Sequence, residues 1–266
     1  TDASLQLAYQ LAAGTDENTV NLKKELVILI DPMENPDGRE RTLAQLQQLS
    51  GEIINSDVQS IQHTGIWPGG RGNHYLFDSN RDWFALTHPE TRARVKTVLY
   101  WNPQIFVDSH EMGSFDTYLF SPAGPPLNPN INEFNTKWRN KFGVDQAKAF
   151  DDYSGSYYTR DWNDEWYPGY GSGWSLYIGA IGILYEQAGT DGLIVKRPDG
   201  TTLTFRESVH HHFVSSIANL TTTAKNRKDL LKEFYSARKS DMEIKKGEPA
   251  TFYLVPGKNE TRTNTL

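Results

Sequence analysis

Apolar positions along this chain fall into two rhythms. Leu5, Ala8, Tyr9 and Ala12 recur at helical spacing, with Leu7 and Leu11 a second pair four apart. That spacing predicts a helix from Asp2 to Ala13, ended by Gly14. Glu25-Leu-Val-Ile-Leu-Ile-Asp31 is instead a continuous apolar run between polar residues, the pattern of a buried, parallel strand. The loop Pro32 to Gly38 follows its carboxyl end, where ligand-binding loops gather in open α/β sheets. Thr87-His-Pro-Glu90 reads as a capping box with proline in the first turn, which predicts a helix from Thr87 to Trp101, stopped by Pro103. Gln104 to Ser109 is then the next strand.

Gly113 to Pro129 is rich in proline and glycine and reads as loop, ahead of a helix near Ile131 to Phe150. Tyr153 to Trp174 concentrates Trp162, Trp166, Tyr167, Tyr170 and Trp174, a composition suited either to packing or to a substrate-covering wall. Tyr177 to Gln187 is another apolar, strand-like run. Val209, Phe213, Ile217 and Leu220 mark the apolar face of a long helix from Glu207 to about Arg238. Thr251 to Val255 looks like a strand beginning something the last residues do not complete. The expected organisation is one domain over residues 1–240, then a linker and the start of a following module over 241–266.

Composition narrows the class. The 266 residues are 37% hydrophobic with no apolar run near the roughly 18 residues of a membrane span, as suits an α/β domain. A net charge of -6 without a clustered basic face argues against nucleic acid as a partner. The absence of cysteine leaves His, Asp and Glu as the available metal ligands. The chain opens on Thr1 without Met and without a signal peptide, directly on a helical pattern, which reads as excision from a longer polypeptide.

Three places carry candidate chemistry. His110 ends a strand pattern and is followed by Glu111, but Ser114 stands where a zinc-binding helix motif needs its second His. Asn80 and Arg81 form a pair able to grip a carboxylate, the Arg through its planar fork, although such pairs often serve only surface ion pairs with neighbours like Asp78 and Asp82. Glu186 interrupts the apolar strand Ile181-Gly-Ile-Leu-Tyr185, where an unpaired charge is costly, so it either meets a cation or is poised as a base. His210-His211-His212 lies within a helical pattern. Successive side chains there point about 100° apart, which favours packing over a shared ion.

Asn35-Pro-Asp-Gly38, Asp78-Ser-Asn-Arg81, Val107-Asp-Ser-His110 and Tyr185-Glu186 occur together in the order and approximate spacing of the zinc carboxypeptidases of the carboxypeptidase A-like family, and the chain resembles a bacterial-type member over roughly residues 1–220. The resemblance implies a mixed, largely parallel eight-stranded sheet between helices, here lacking its N-terminal strands. It implies His110 as a zinc ligand, Asn80 and Arg81 as the carboxylate site, and Glu186 as general base and proton shuttle. Arg71 would be the oxyanion-stabilising group, with Arg39 and Arg41 less favoured, and Tyr170 or Tyr167 the residue that caps the substrate. A floor near Gly171 to Ile181 would leave room for a bulky side chain at Gly179, Ala180 and Gly182.

The sequence departs from this family at one decisive place. The family's other two zinc ligands come from a His-x-x-Glu motif, and none of His63, His74, His88, His110, His210, His211 and His212 has Glu three residues later. The motif is therefore expected upstream of Thr1, with a metal-free relative as the alternative, and the chain by itself is expected to bind catalytic zinc poorly and to be inactive. The activity implied for the intact enzyme, with one zinc ion, is hydrolysis of C-terminal peptide bonds. A deacylase or amidase of N-acyl amino acids or cell-wall peptides, and a non-catalytic carboxylate-binding module, are the alternatives. In each case the partner presents a free C-terminal carboxylate. Export to the periplasm or outside the cell suits a degradative peptidase.

Overall fold

A computed structural model describes residues 1–243. The chain runs α1 (Asp2–Ala13), α2 (Glu17–Glu25), α3 (Pro36–Leu49), α4 (Ile61–Thr64), a 3-10 turn (Ser79–Arg81), α5 (Pro89–Trp101), β1 (Ile105–Met112) and β2 (Tyr118–Phe120). It continues through α6 (Glu133–Tyr153), α7 (Gly171–Tyr177), β3 (Ile181–Ala188), β4 (Ile194–Lys196), β5 (Thr202–Thr204) and α8 (Phe205–Met242). No helix among the described residues is long and apolar enough to cross a membrane.

The central strand is β3, all eight residues of which are buried. It pairs in parallel with β1, from Ile105 opposite Ile181 to Met112 opposite Ala188, and antiparallel with β2 on its other edge. Side chains alternate across the two faces. Ile181, Ile183 and Tyr185 join Phe142 and Phe150 of α6 and Phe234 of α8 in the main core. On the opposite face α7 lies directly on the strand, and it can do so only because residue 182 is glycine: a side chain there would collide with Ser172 and Ser175. A second cluster joins Leu11 of α1 and Leu22 of α2 to Ala224 of α8, and a third joins Trp83, Val95 and Trp174.

Several expectations need correction. The described residues hold a three-stranded sheet and a separate β4–β5 hairpin, a part of the eight-stranded sheet expected for the intact domain and not the whole of it. The run expected as a first strand shows why. Leu26, Ile28 and Ile30 pack against the α1–α2–α8 cluster while Val27 and Leu29 face solvent, so the segment is extended with strand alternation. A strand also needs a ladder partner, and none stands beside it among the described residues. Residues 113–129 are not all loop, because Tyr118–Phe120 pairs with β3. The run expected as strand from Tyr177 starts at Ile181, since Tyr177 closes α7. The capping box at Thr87 does not form: Asp82 accepts from the backbone N–H groups of Thr87 and His88 at 2.9 Å each, and Pro89 opens α5. Helices α2 and α3 were not anticipated. The expected strand at Thr251 to Val255 lies outside the described residues.

The histidine run on α8 is a packing feature. His210 stacks on Phe213, His211 lies against Phe150, and His212 is threaded into the sheet. The Tyr118 hydroxyl donates to Nδ1 of His212 at 2.9 Å, and its Nε2–H donates to the carbonyl of His110, also at 2.9 Å. Burial pushes the His212 pKa down to about 3. The unfolded chain takes up this proton near pH 6.5 and the folded chain near 3. Acid should therefore weaken the fold through this window by about 1.4 kcal/mol per pH unit from this group, with no contribution above it. Urea denaturation at stepped pH should show that slope, and His212→Gln should remove it.

Candidate active site

Parallel pairing sets the first two residues. In the β1–β3 register His110 stands opposite Glu186, so both side chains leave the same face at the carboxyl ends of adjacent strands. Asp108, two residues before His110, shares that face. Its Oδ1 lies 2.8 Å from Nε2 of His110. Asp108 is buried, and burial alone would raise its pKa; the charge of His110 and the hydrogen bond between them hold it below the ordinary carboxylate value instead. Burial works against a charge on His110 as well, yet the facing carboxylate lifts its pKa to about 9. A carboxylate at this distance fixes the proton on Nε2. No group among the described residues hydrogen-bonds Nδ1, so that nitrogen is open to a further partner once it gives up its proton.

Asn80 closes the group from the 3-10 turn. Its Nδ2 lies 3.2 Å from Oδ2 of Asp108 and 2.8 Å from Nε2 of His110, and its Oδ1 accepts from the N–H of Gly171 at 2.8 Å. The carboxamide is thus largely engaged inside the protein, with one amide hydrogen committed to Asp108. Sequence reasoning assigned Asn80 to the substrate and did not anticipate this bracing role. Glu186 faces the pair with its carboxyl raised to about 7, first by desolvation, with the charges of His110 and Arg71 opposing and that of Asp108 reinforcing.

The arginines sort themselves by what they donate to. Nε of Arg71 donates to Oδ2 of Asp78 at 2.8 Å, and Arg81 approaches the same oxygen at 3.9 Å. Both guanidinium side chains are 53% exposed, which leaves most of their donors open toward solvent. Arg39 pairs with its neighbour Glu40, and Arg41 donates to three backbone carbonyls of the loop before the 3-10 turn. Arg41 therefore has its fork committed to the backbone.

The aromatic segment forms one wall of the group. The Arg81 guanidinium lies 5.2 Å over the ring of Tyr170, and the Tyr167 hydroxyl donates to the Arg81 carbonyl at 2.9 Å. The Tyr170 hydroxyl is held by Asp164 at 2.6 Å, so neither tyrosine points a free hydroxyl into the site. The segment is anchored from behind by an ion pair between Arg139 of α6 and Glu165, whose side chains are 1% and 2% exposed.

A sequence model described as zinc carboxypeptidase matches residues 1–187. The chain belongs to the zinc carboxypeptidase family. Among curated proteins none matches it. Solved structures agree on the α/β fold. The metallo-carboxypeptidase from Burkholderia cenocepacia superposes with a TM-score of 0.59 at 17% identity, covering 84% of this chain and 53% of that one. The metallo-carboxypeptidase from Pseudomonas aeruginosa in complex with (2-guanidinoethylmercapto)succinic acid gives 0.56 at 15%, covering 86% and 54%. Thrombin activatable fibrinolysis inhibitor gives 0.51 at 13%, covering 84% and 61%. The chain spans about half the length of the bacterial structures it matches.

A catalytic zinc needs three protein ligands and an open position. The described residues of this zinc carboxypeptidase family member supply one imidazole with a free Nδ1 and no group of three or more His, Asp or Glu side chains able to hold an ion. They do not form a complete zinc site by themselves.

Two residues of the group escaped sequence reasoning. Asp108 lies two residues before His110 in Val107-Asp-Ser-His110, and the Asp-x-His spacing on a strand already places both on one face. Glu34 precedes the Asn35 motif. Its carboxyl is raised to about 7 by desolvation and then by the charge of Asp108, with Arg94 opposing. Replacing the buried carboxylate, Asp108→Asn, should bring the His110 pKa down from about 9 by about 2 pH units or more, because burial then acts without its counter-charge. Ring-nitrogen chemical shifts followed through a pH titration would measure it.

Proposed function

We propose that this chain carries the substrate-binding and proton-transfer face of a zinc-dependent metallocarboxypeptidase that hydrolyses C-terminal peptide bonds. The observation that carries the reading is the parallel register that sets His110, its Nε2 tied to Asp108, opposite a Glu186 whose carboxyl sits near 7. A carboxyl with that pKa is divided between its two forms at neutral pH, the condition under which one group can take a proton from water and return it to a leaving amine. Zinc dependence belongs to the proposal: the family is named for the ion, His110 offers one ligand, and the remaining ligands are not among the described residues.

The other roles follow from what each group has left to offer. Arg81, half exposed over the Tyr170 ring, is the fork for the terminal carboxylate. Asn80 adds an amide hydrogen and braces Asp108. Arg71 is the guanidinium placed to offset oxyanion charge. Tyr170 and Tyr167 serve as a wall for the terminal side chain, and either would cap the substrate after releasing its present hydrogen bond. The substrate class is a peptide with a free C-terminus.

Release of free amino acids from N-blocked dipeptides and from matched N-acyl amino acids, assayed on the full-length gene product with zinc and after chelation, tests the reading. Peptide hydrolysis lost on chelation is expected, with Glu186→Gln lowering kcat by about 10² to 10⁴. Arg81→Lys should raise KM by about tenfold or more while sparing kcat, since a point charge replaces a bidentate fork. Hydrolysis of N-acyl amino acids alone would make the protein a deacylase. Saturable binding without turnover would make it a recognition module. The 266-residue chain alone should bind zinc weakly and remain inactive.

A further inference from the structure

The Asn35-Pro-Asp-Gly38 motif marks the family but has so far been given no task. In the structure it opens α3, where Oδ1 of Asn35 caps the helix by accepting from the N–H of Gly38 at 3.0 Å. The other end of the same side chain turns outward. Its Nδ2 lies 3.2, 3.0 and 3.2 Å from the carbonyl oxygens of Gly70, Arg71 and Gly72. Further along the helix, Arg41 donates to the carbonyls of Gly69 at 2.9 Å, Gly72 at 3.1 Å and Asn73 at 3.0 Å.

The cap residue of α3 and one residue within it therefore lie within donor reach of every carbonyl from residue 69 to residue 73. Asp37 adds a bond in the opposite sense, accepting from the N–H of His74 at 2.9 Å. Gly38 and Gly70 allow this closeness, because a side chain at residue 38 would run into the Gly70 carbonyl and one at residue 70 into Thr42. A Gly-Gly-Arg-Gly stretch has high conformational entropy when unrestrained. Here its backbone is bonded on both sides of the only residue in it that bears a functional side chain, Arg71. That side chain points to Asp78, next to the turn holding Asn80 and Arg81.

We propose that Asn35 and Arg41 are positioning residues that hold the loop so that the Arg71 guanidinium is presented to the His110–Glu186 face. Its catalytic part rests on the reading of Arg71 as the oxyanion-stabilising group; its geometric part does not. The motif thereby acquires a function: it caps a helix with one atom and aims an arginine with another.

Two measurements on the full-length protein test this. In the first, kcat is compared for Arg41→Ala, Arg71→Ala and the double variant. Arg71→Ala should lower kcat by about 10² to 10³ and Arg41→Ala by about tenfold or more, each with little change in KM. Arg41→Ala should cost nothing further once Arg71 is gone. An equal loss in both backgrounds would reduce Arg41 to a general stabiliser and overturn the proposal. No loss from Arg71→Ala would overturn the oxyanion reading of Arg71 and, with it, the catalytic part.

The second measurement needs no turnover. The Nε–H resonance of Arg71, bonded to Asp78, should broaden or shift in Arg41→Ala and in Asn35→Ala, while that of Arg197, bonded to the Ser114 carbonyl on other elements, stays in place. An unmoved Arg71 signal in both variants would overturn the positioning role whatever the kinetics. Arg41→Lys, which keeps the charge but not the fork, supplies a milder variant should Arg41→Ala unfold, with an intermediate effect on both readouts expected.

Discussion

The arrangement depends on one parallel strand pairing. Because β1 and β3 run in the same direction with His110 opposite Glu186, an imidazole and a carboxyl emerge side by side from adjacent strand ends. A slip of one residue would send either side chain to the α6–α8 core, where no partner waits for it. The register is held by burial on both faces of β3: aromatic rings of α6 and α8 on one side, α7 seated against Gly182 on the other. The site is a by-product of packing that leaves the strands no alternative alignment.

Around that pair the charges form a graded series. Asp108 is buried and paired with His110, Glu186 is held near 7 by desolvation, and Arg71 and Arg81 lie outermost around Asp78. The inner groups set protonation, and the outer ones keep donors open toward solvent. Asn80 joins the two shells, since its backbone N–H is held by Asp78 while its side chain braces Asp108.

The residues that sequence reasoning found best are those that violate their surroundings. Glu186 stands out as a charge in an apolar strand and His110 as a polar end to another, and the parallel register sets them opposite each other. The family and its α/β fold were legible from four ordered motifs. What was not legible depends on partners distant in sequence. Nothing in the sequence tells that the Asn80 amide is engaged by Asp108 and Gly171, or that Arg41 spends its donors on loop carbonyls while Arg71 keeps its own. Leu26–Ile30 carries a strand's alternation, but a strand is a property of two segments, and periodicity describes one. The cap of α5 was misplaced for the same reason: Asp82 reaches it from across a turn, and the local box was the less favourable choice.

The buried Arg139–Glu165 pair behind the aromatic wall and the half-exposed arginines in front of it answer differently to the medium. Mobile ions screen exposed charges over a Debye length of about 10 Å at 0.1 M salt and about 3 Å at 1 M, while a pair sealed from water is scarcely reached. Concentrated salt therefore leaves the wall standing as it mutes the field of Arg71 and Arg81, so that ionic strength tunes the positive field at this face without changing the shape behind it.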